Sequence, residues 1–472
     1  MRILLIICFF CVSLTCKAGK PKWPKPEKPV IHNNVKYIDP VDKTIGDKVL
    51  VCTGFVDTSK ICNRLIIPDS LLVNGENWSV SMINVNAFKG IKNLQYVKLP
   101  NTLRTILSGA FEDCENLDSI YIPASVNRIV DYTFDNSNLI SINVSPQNPY
   151  YDSRDNSHAI IDSKTNELLV GSATSTIPAS VTKLGRKAFS KRKKLKQITI
   201  PKNIRSIGRN CFHNCYNLSS ITFEDNIDSQ SNNNGLTIEG RAFGDCQNIT
   251  NISLPNRLDT IEFCAFAGCK NLESLYFPER VRYISENQFN GCKNLKSIIV
   301  SPNNKVYDSR DNCNAIIETK TNKLIAGCKS TIIPNSIDTI CCDAFPNMDI
   351  DSVYIPIGVK YIEGGAFFGS TIRSVVIPKS VKEIVFGSFD FCENLRSIYL
   401  GHTTPPIIKD VKRDEMKKIL TTEEEKPETY TELSQLKDEL SYLSNVCVYV
   451  PKIAYKKYIE HPIWKQLKIM PY

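Results

Sequence analysis

The chain has few of the residues on which enzymes and metal sites depend. Its 472 residues include only five histidines and three tryptophans. None of the histidines stands in an H-E-x-x-H or similar metal-ligand spacing, and no G-x-S-x-G, P-loop or dinucleotide-binding glycine pattern occurs. The sequence therefore gives no support for a hydrolase, a nucleotide-binding enzyme or a zinc protein, and we predict no catalytic, cofactor-binding or metal-binding residues.

Long hydrophobic runs are also missing, and no stretch is long enough to cross a bilayer. The apolar run from Ile3 to Phe10 follows the basic start Met1-Arg2 and leads to a small residue, Ala18. This pattern is typical of a secretory signal, so we expect an exported protein. A lipid anchor at Cys16 is a less favoured alternative, because the preceding threonine suits lipobox cleavage poorly.

The most informative feature is a phrase that returns about every 23 residues. Phe111-x-x-Cys-x-Asn-Leu-x-Ser-Ile-x-Ile-Pro123 recurs from Phe266 to Pro278 and again from Phe389. A fixed period of this length predicts a solenoid, in which each repeat stacks on its neighbours. Because Ser-Ile-x-Ile alternates at period two before the proline, we predict a β-strand ladder on one face, with turns and short strands on the other.

The composition divides the chain into six segments. Prolines and lysines predict an extended spacer before the solenoid, and a charged stretch with leucines at helical spacing predicts an insertion after it. A solenoid needs a cap at each end to cover its apolar edges. The predicted segments are a signal peptide (1–18), the spacer (19–29), an N-terminal cap (30–61), the solenoid (62–404), the charged helical insertion (405–445) and a C-terminal cap (446–472).

Cysteine is abundant, with eighteen residues. Removing the three in the predicted signal leaves an odd number, so complete intrachain pairing is impossible. Six of them share the slot three residues after the repeat phenylalanine, and we predict that they are buried thiols of the core. These are Cys114, Cys215, Cys246, Cys269, Cys292 and Cys392.

Two cysteine pairs are candidate disulfides. Cys52 and Cys62 flank a short loop. The other pair lies in a longer repeat that occurs twice, once from Tyr151 and once from Tyr307. Cys313 and Cys328 of the second copy replace Ser157 and Ser172 of the first. Because both positions change together, we predict that the two sulfurs touch.

Both copies of the longer repeat carry the phrase Tyr-Asp-Ser-Arg-Asp-Asn. Its carboxylates are Asp152, Asp155, Asp308 and Asp311. Calcium coordination is one interpretation, since carboxylate oxygens are its usual ligands. We favour the alternative, in which Asp and Asn form turns through bonds from side chain to backbone.

Outward-facing tyrosines are the first candidate contact residues. Tyr121, Tyr276, Tyr354 and Tyr399 occupy a strand position that must point away from the core. Tyrosine on a rigid sheet buries much area at low entropic cost, which favours ligand binding. The alternative is that tyrosine is present only because it suits a strand.

The chain has one dense basic cluster. The candidate polyanion patch consists of Arg186, Lys187, Lys191, Arg192, Lys193 and Lys194. Such a patch fits sulfated glycans, although a solvated turn is the commoner explanation. The formal net charge of the whole chain, +9, is mild for its size and does not indicate nucleic acid.

The repeat phrase resembles the BspA-like leucine-rich repeat of bacterial surface proteins. The resemblance covers about Leu65 to Leu400, and Val448-Tyr-Val-Pro451 with Tyr455 and Trp464 is similar to the closing segment of that family. It implies a leucine-rich-repeat solenoid and an exported, non-enzymatic binding or adhesion protein for host matrix proteins or glycans. We expect a monomer without a cofactor. An enzyme or accessory scaffold acting on surface polysaccharide or peptide is the alternative, but no repeat shows the clustered acids and histidines it needs.

Overall fold

The computed structural model describes residues 29–39, 48–57, 63–224, 235–385, 387–409, 443 and 445–472. In these residues the chain is a β-solenoid, so the fold predicted from the repeat is confirmed. Four predictions lie outside the described residues. They are the signal peptide with its alternative anchor at Cys16, the spacer up to residue 28, Cys62, and most of the charged insertion.

The strands predicted from Ser-Ile-x-Ile form the first ladder, in which all pairings are parallel. Its strands are β4 (Arg64–Ile66), β7 (Tyr96–Lys98), β9 (Ser119–Ile122), β11 (Ser141–Val144), β16 (Gln197–Ile200), β18 (Ser220–Phe223), β20 (Asn251–Ile252), β22 (Ser274–Phe277), β24 (Ser297–Val300), β29 (Ser352–Tyr354), β31 (Ser374–Ile377), β33 (Ser397–Leu400), β35 (Cys447–Val450) and β36 (Lys468–Pro471).

The remaining strands form the second ladder. They are β1 (Val30–His32), β2 (Val35–Ile38), β3 (Val49–Phe55), β5 (Ser70–Val73), β6 (Glu76–Ile83), β8 (Thr105–Ile106), β10 (Arg128–Ile129), β12 (Tyr151–Asp152), β13 (Ala159–Asp162), β14 (Glu167–Gly171), β15 (Lys183–Leu184), β17 (Ser206–Ile207), β19 (Leu236–Ile238), β21 (Leu258–Ile261), β23 (Tyr283–Ile284), β25 (Tyr307–Asp308), β26 (Ala315–Glu318), β27 (Lys323–Gly327), β28 (Thr339–Ile340), β30 (Tyr361–Ile362), β32 (Glu383–Val385) and β34 (Ile407–Lys409).

Each ladder is divided into several sheets. The first ladder runs β4-β7-β9-β11, then β16-β18, then β20-β22-β24, and finally β29-β31-β33-β35-β36. The second runs β1-β2-β3-β6-β8-β10 with β5 beside β6, then β12 to β23 through β13, β14, β15, β17, β19 and β21, then β25 to β34 through β26, β27, β28, β30 and β32. Both ladders are interrupted at the two copies of the longer repeat, and the first ladder has a further break between β18 and β20.

Helix is scarce in the described residues. They include the α-helix α1 (Tyr455–Glu460) and short 3-10 turns at Arg154–Asn156, Arg310–Asn312, Lys452–Ala454 and Trp464–Gln466. None of the helices in the described part of the chain has the length and apolar character needed to cross a bilayer.

The repeat phenylalanines form a stacked column inside the solenoid. The ring centroids of Phe88 and Phe111 lie 5.4 Å apart, and those of Phe111 and Phe134 lie 5.6 Å apart, with nearly parallel planes. The column continues from Phe189 to Phe289 and from Phe345 to Phe389. Each ring therefore fills the space between successive repeats, as a close-packed core requires.

The six repeat cysteines are buried, which confirms the prediction for their slot. Each thiol donates a hydrogen bond to the carbonyl of the preceding repeat phenylalanine; Cys114 Sγ lies 3.2 Å from Phe88 O, and Cys215 Sγ lies 3.0 Å from Phe189 O. Burial raises the pKa of Cys114 and of Cys215 to about 12. These thiols therefore stay protonated and serve as small core donors.

The two longer repeats form antiparallel hairpins that interrupt the regular stacking. We call β12–β14 with the repeats of Phe134 and Phe189 the first junction, and β25–β27 with the repeats of Phe289 and Phe345 the second junction. A Cβ on Gly171 would lie 2.1 Å from the Phe189 ring, so the ring requires glycine. The Gly171 amide donates to Ala188 O at 2.8 Å. In the regular repeats the backbone amide of the repeat phenylalanine makes the equivalent hydrogen bond to the following repeat.

The aspartates of the longer repeats make turns, as the favoured interpretation holds. Arg154 donates to both carboxylate oxygens of Asp152, with Nη2–Oδ2 2.6 Å and Nε–Oδ1 2.7 Å. Arg310 binds Asp308 in the same way. Asp155 and Asp311 adopt left-handed backbone conformations. Across the described ranges, no group of three or more His, Cys, Asp and Glu side chains is placed to hold a metal ion.

Both strand ladders continue beyond residue 404. Strand β34 (Ile407–Lys409) pairs in parallel with β32, so the second ladder continues past residue 404, where the predicted solenoid ends. The first ladder continues through β35 and β36. Trp464 closes this end, because its Nε1 donates to Pro406 O at 3.1 Å and its ring meets Tyr458 edge-on at 5.5 Å.

Candidate ligand-binding surface

The four predicted contact tyrosines all face outward, but they lie on three separate sheets. Tyr121 stands opposite Asn143, and Tyr276 stands opposite Ile299. Tyr354 and Tyr399 share the last sheet of the first ladder. The structure therefore brings two of the four tyrosines together and leaves the other two apart.

On that last sheet the outward positions form a continuous line of large side chains. The register places Tyr354, Val376, Tyr399, Tyr449 and Met470 directly opposite one another on consecutive strands. We call these five residues the aromatic row. Tyr354 is 71% exposed and Val376 is 47% exposed, so the row presents an apolar surface to solvent.

The aromatic row is ordered by ring contacts at its C-terminal end. The rings of Tyr399 and Tyr449 stack at 4.7 Å with an angle of 12° between their planes. Tyr472 meets Tyr399 edge-on at 6.4 Å, and its hydroxyl donates to Leu400 O at 3.2 Å. Stacked aromatic rings on a rigid sheet lose little conformational entropy on binding, which suits a contact surface.

Sequence reasoning missed Tyr449 and Met470, which it assigned to the cap. A signal for Tyr449 was present, because Val446-Cys-Val-Tyr-Val-Pro451 repeats the alternation of the earlier strands and places Tyr449 in the slot of Tyr399. The neighbouring outward positions are smaller or polar. They are Ser352, Ser374, Ser397, Cys447 and Lys468. The row can bind an apolar surface, and it carries no acid or histidine for chemistry.

The basic cluster is largely neutralised by acids on the other side of the first junction. Lys187 Nζ lies 2.9 Å from Asp135 Oδ2, and Lys194 Nζ lies 2.9 Å from Asp118 Oδ1. Lys191 approaches Asp135 at 3.9 Å, and Lys193 approaches Glu115 at 3.5 Å. These pairs join repeats that the hairpin separates. The geometry thus favours a set of ion pairs that links the repeats over an open polyanion patch.

Arg192 was predicted to belong to the polyanion patch, and this prediction is wrong because the residue is buried. It is 1% exposed. Its guanidinium donates to four backbone carbonyls: Phe134 O at 3.1 Å, Ser137 O at 2.8 Å, Gly171 O at 2.8 Å and Ser190 O at 3.4 Å. Arg192 occupies the cysteine slot, which points into the core. Burial lowers the pKa of its guanidinium to about 10, and the group remains charged at neutral pH.

The described cysteines of the two candidate disulfides are Cys52, Cys313 and Cys328. Cys52 is a buried free thiol, and its proposed partner lies outside the described residues. Cys313 and Cys328 are both free and buried. Their sulfurs approach the carbonyls of adjacent residues, with Cys328 Sγ 3.4 Å from Asn314 O and Cys313 Sγ 4.0 Å from Ala315 O. The Cys313–Cys328 bridge therefore stays a prediction.

The stacked parallel ladders and their buried phenylalanine and leucine positions define a leucine-rich-repeat solenoid. A family model described as "BspA type Leucine rich repeat region (6 copies)" matches residues 75–156, 172–234, 230–325 and 315–411. The chain therefore belongs to the BspA-type leucine-rich-repeat family, as its repeat phrase predicted. No curated protein matches the chain.

Solved structures of bacterial leucine-rich-repeat proteins are similar at low identity. A leucine rich cell surface protein from Faecalibacterium prausnitzii is 19% identical, covers 85% of this chain and 99% of its own, and has a TM-score of 0.38. A leucine-rich repeat protein from Bacteroides ovatus is 21% identical with coverages of 81% and 99% and a TM-score of 0.40. The pneumococcal vaccine antigen PcpA is 15% identical with coverages of 94% and 98% and a TM-score of 0.40.

Proposed function

We propose that this chain is an exported, non-enzymatic binding protein whose aromatic row contacts a protein ligand outside the cell. The observation that carries the proposal is the register of the last sheet, which aligns Tyr354, Val376, Tyr399, Tyr449 and Met470 in one exposed line. Exposed apolar surface of this kind marks an interaction site in soluble proteins. Export rests on the signal predicted for residues 1–18.

A protein ligand is favoured over a glycan by the composition of the row. Val376 and Met470 interrupt the tyrosines with purely apolar side chains, whereas a glycan needs hydrogen-bond partners beside each ring. Tyrosine is also enriched among residues that dominate protein–protein binding energy. We therefore place a host matrix protein first and treat glycan binding as a separate outcome of the test.

The test is binding of the purified mature chain to a panel of immobilised extracellular matrix proteins and to a glycan array. In the double variant Tyr354→Ser/Tyr399→Ser we expect the affinity for the matrix protein that binds to fall by about 30-fold or more, because the loss of even one dominant aromatic contact costs about 2 kcal/mol or more. The matched control, Tyr150→Ser/Tyr216→Ser, removes two exposed tyrosines from elsewhere and should bind as the wild type does.

Two results would overturn the proposal. One is equal binding by the two double variants, which would locate the contact surface outside the aromatic row. The other is binding to the glycan array alone, which would replace the protein ligand with a carbohydrate.

A further inference from the structure

The first junction contains a cavity of about 270 Å³, distant in sequence from the aromatic row. The hydrophobic core is interrupted at this place. Ile160 of β13 packs with the repeats before the junction, whereas Ala159 and Ile161 pack with those after it. At the second junction Ala315, Ile316 and Ile317 all belong to one continuous core. The cavity is therefore a consequence of the gap that the first hairpin creates between two blocks of repeats.

One part of the cavity lining is apolar. Ile129, Leu169 and Val170 line it and are only partly buried, although each packs against the core of the preceding repeats. Partly exposed aliphatic side chains inside a concave site offer a surface for an apolar ligand group. The cavity thus combines a hydrophobic wall with the charged groups around it.

Charged groups that line the same cavity retain unused hydrogen-bonding capacity. Asp135 is already in use, because its side chain is 2% exposed and its Oδ2 pairs with Lys187. Asp131 and Arg186 line the cavity, are exposed, and form no ion pair within the described part of the chain. Lys183 is already paired with Glu167 at 3.3 Å.

The acids and the guanidinium come from different blocks. Asp131 and Asp135 belong to the repeat before the hairpin, and Arg186 belongs to the repeat after it, where it lies 5.3 Å from the Tyr132 ring. A free guanidinium is the preferred partner of a carboxylate, which it binds through two parallel hydrogen bonds.

We propose that the cavity of the first junction binds a small zwitterion, namely a free amino acid or dipeptide with an apolar side chain. The ligand ammonium donates to Asp131, and its carboxylate accepts from Arg186. The apolar side chain packs against Leu169 and Val170. The size fits, because the cavity is close to the lower end of ligand pockets, about 300 Å³.

The second junction provides an internal comparison. The residues that build the hairpin are the same in both copies. Asn148 and Asn304 donate to equivalent backbone carbonyls, and Arg154 and Arg310 form ion pairs with equivalent aspartates. The residues of the cavity differ. Glu286 stands at the position of Asp131, and Cys342 stands at that of Arg186. The zwitterion-binding set therefore belongs to the first junction alone among the described residues.

The test is isothermal titration calorimetry, which measures the heat of binding when the purified mature chain is titrated with L-leucine and with L-leucyl-L-leucine. Two analogues each lack one charge: N-acetyl-L-leucine has no ammonium, and L-leucinamide has no carboxylate. We expect one of the zwitterions to bind and both analogues to bind at least about tenfold more weakly, because each loses a charge-assisted hydrogen bond. Asp131→Asn and Arg186→Gln should weaken zwitterion binding to a similar extent.

Folding and ligand binding are separable in this test. Asp131 and Arg186 are exposed, so both variants should retain the circular dichroism of the wild type. The control Glu286→Gln makes the same change of acid to amide at the second junction and should bind leucine normally. Tyr354→Ser/Tyr399→Ser should also bind leucine normally, which distinguishes this proposal from the proposed function. No heat with either zwitterion, or equal binding of the zwitterions and their blocked analogues, would overturn the proposal.

Discussion

Arg192 reaches across the first junction to the carbonyl of Phe134, 58 residues earlier, with Nη1–O 3.1 Å. In regular repeats a cysteine in the same slot makes the corresponding bond. The hairpin separates Phe134 from the next repeat, and the longer arginine side chain spans the added distance. Its guanidinium donates to four buried carbonyls, whereas a cysteine thiol has one donor. Arg192 is therefore a structural link between two blocks of the solenoid.

Replacing Arg192 should weaken this link. Met348 occupies the same slot at the second junction, so Arg192→Met tests whether an apolar side chain suffices. We expect the free energy of unfolding to fall by about 2–4 kcal/mol, because buried carbonyls, among them those of Ser137 and Gly171, lose the hydrogen bonds from Arg192. Urea unfolding followed by far-UV circular dichroism measures the change. The control Lys193→Met removes a surface ion pair and should cost less than about 1 kcal/mol; equal stability of the two variants would contradict the role of Arg192.

The Asp135–Lys187 pair should make the first junction sensitive to acid. Burial acts to raise the pKa of Asp135, but the hydrogen bond and charge of Lys187, with the charge of Lys191, outweigh it and leave the pKa below its ordinary value. The pKa of Asp135 is lower in the folded state than in the unfolded state, where it is about 4, so the ionised carboxylate stabilises the fold above that pH. This stabilisation is lost as the pH falls through the folded-state pKa.

The variant Asp135→Asn isolates that contribution. We expect its free energy of unfolding to be about 1–3 kcal/mol lower than that of the wild type at neutral pH, with the difference shrinking below about pH 4. Urea unfolding of both proteins across this pH range measures the difference. A difference that stays constant down to pH 2 would show that Asp135 acts through shape and not through charge.

The acids opposite the basic cluster should limit its affinity for polyanions. Asp118→Asn/Glu115→Gln frees Lys194 and Lys193 from their ion pairs. We expect the wild type to elute early from heparin and the double variant to be retained to clearly higher salt, since binding to a polyanion depends on unpaired cations. The control Glu273→Gln/Asp351→Asn makes the same change in net charge elsewhere. If the elution of both double variants shifts to the same salt concentration, the ion pairs of the basic cluster do not limit heparin binding.

We predict that Cys313 and Cys328 form a disulfide when the protein folds under oxidising conditions. They face the carbonyls of neighbouring residues and close a loop of about 15 residues, for which a bridge contributes about 3 kcal/mol. Peptide mapping without reduction should show the linked peptides. The double variant Cys313→Ser/Cys328→Ser reproduces the serines of the first junction and should unfold at lower urea. Free thiols at both positions in the secreted protein would refute the bridge.

The sequence was sufficient for the solenoid because its signals are local and repeated. The phenylalanine column and the buried cysteines follow from one phrase, and each copy supports the others. The junction was harder to predict, because Arg192 has its role only through a carbonyl 58 residues away. A basic residue among lysines is typical of an exposed turn, and only its position in the cysteine slot indicated burial.

The candidate site was predictable in part. Tyr354 and Tyr399 could be identified because period two fixes which side chains face outward. The register across strands determines which of the tyrosines share a sheet, and the hairpins break that register between Tyr121, Tyr276 and the last sheet. Tyr449 joins the row across the charged insertion, whose length concealed that β35 pairs with β33.

Site-specific photo-crosslinking tests the central claim most directly. The substitution Tyr399→p-benzoylphenylalanine places a photoreactive ring in the middle of the aromatic row, and the same substitution at Tyr150 places one on an exposed turn of the first junction. After irradiation with the matrix protein that binds the chain, we predict a crosslinked product from position 399 and none from position 150. A product from position 150 alone would contradict the assignment of the aromatic row as the contact surface.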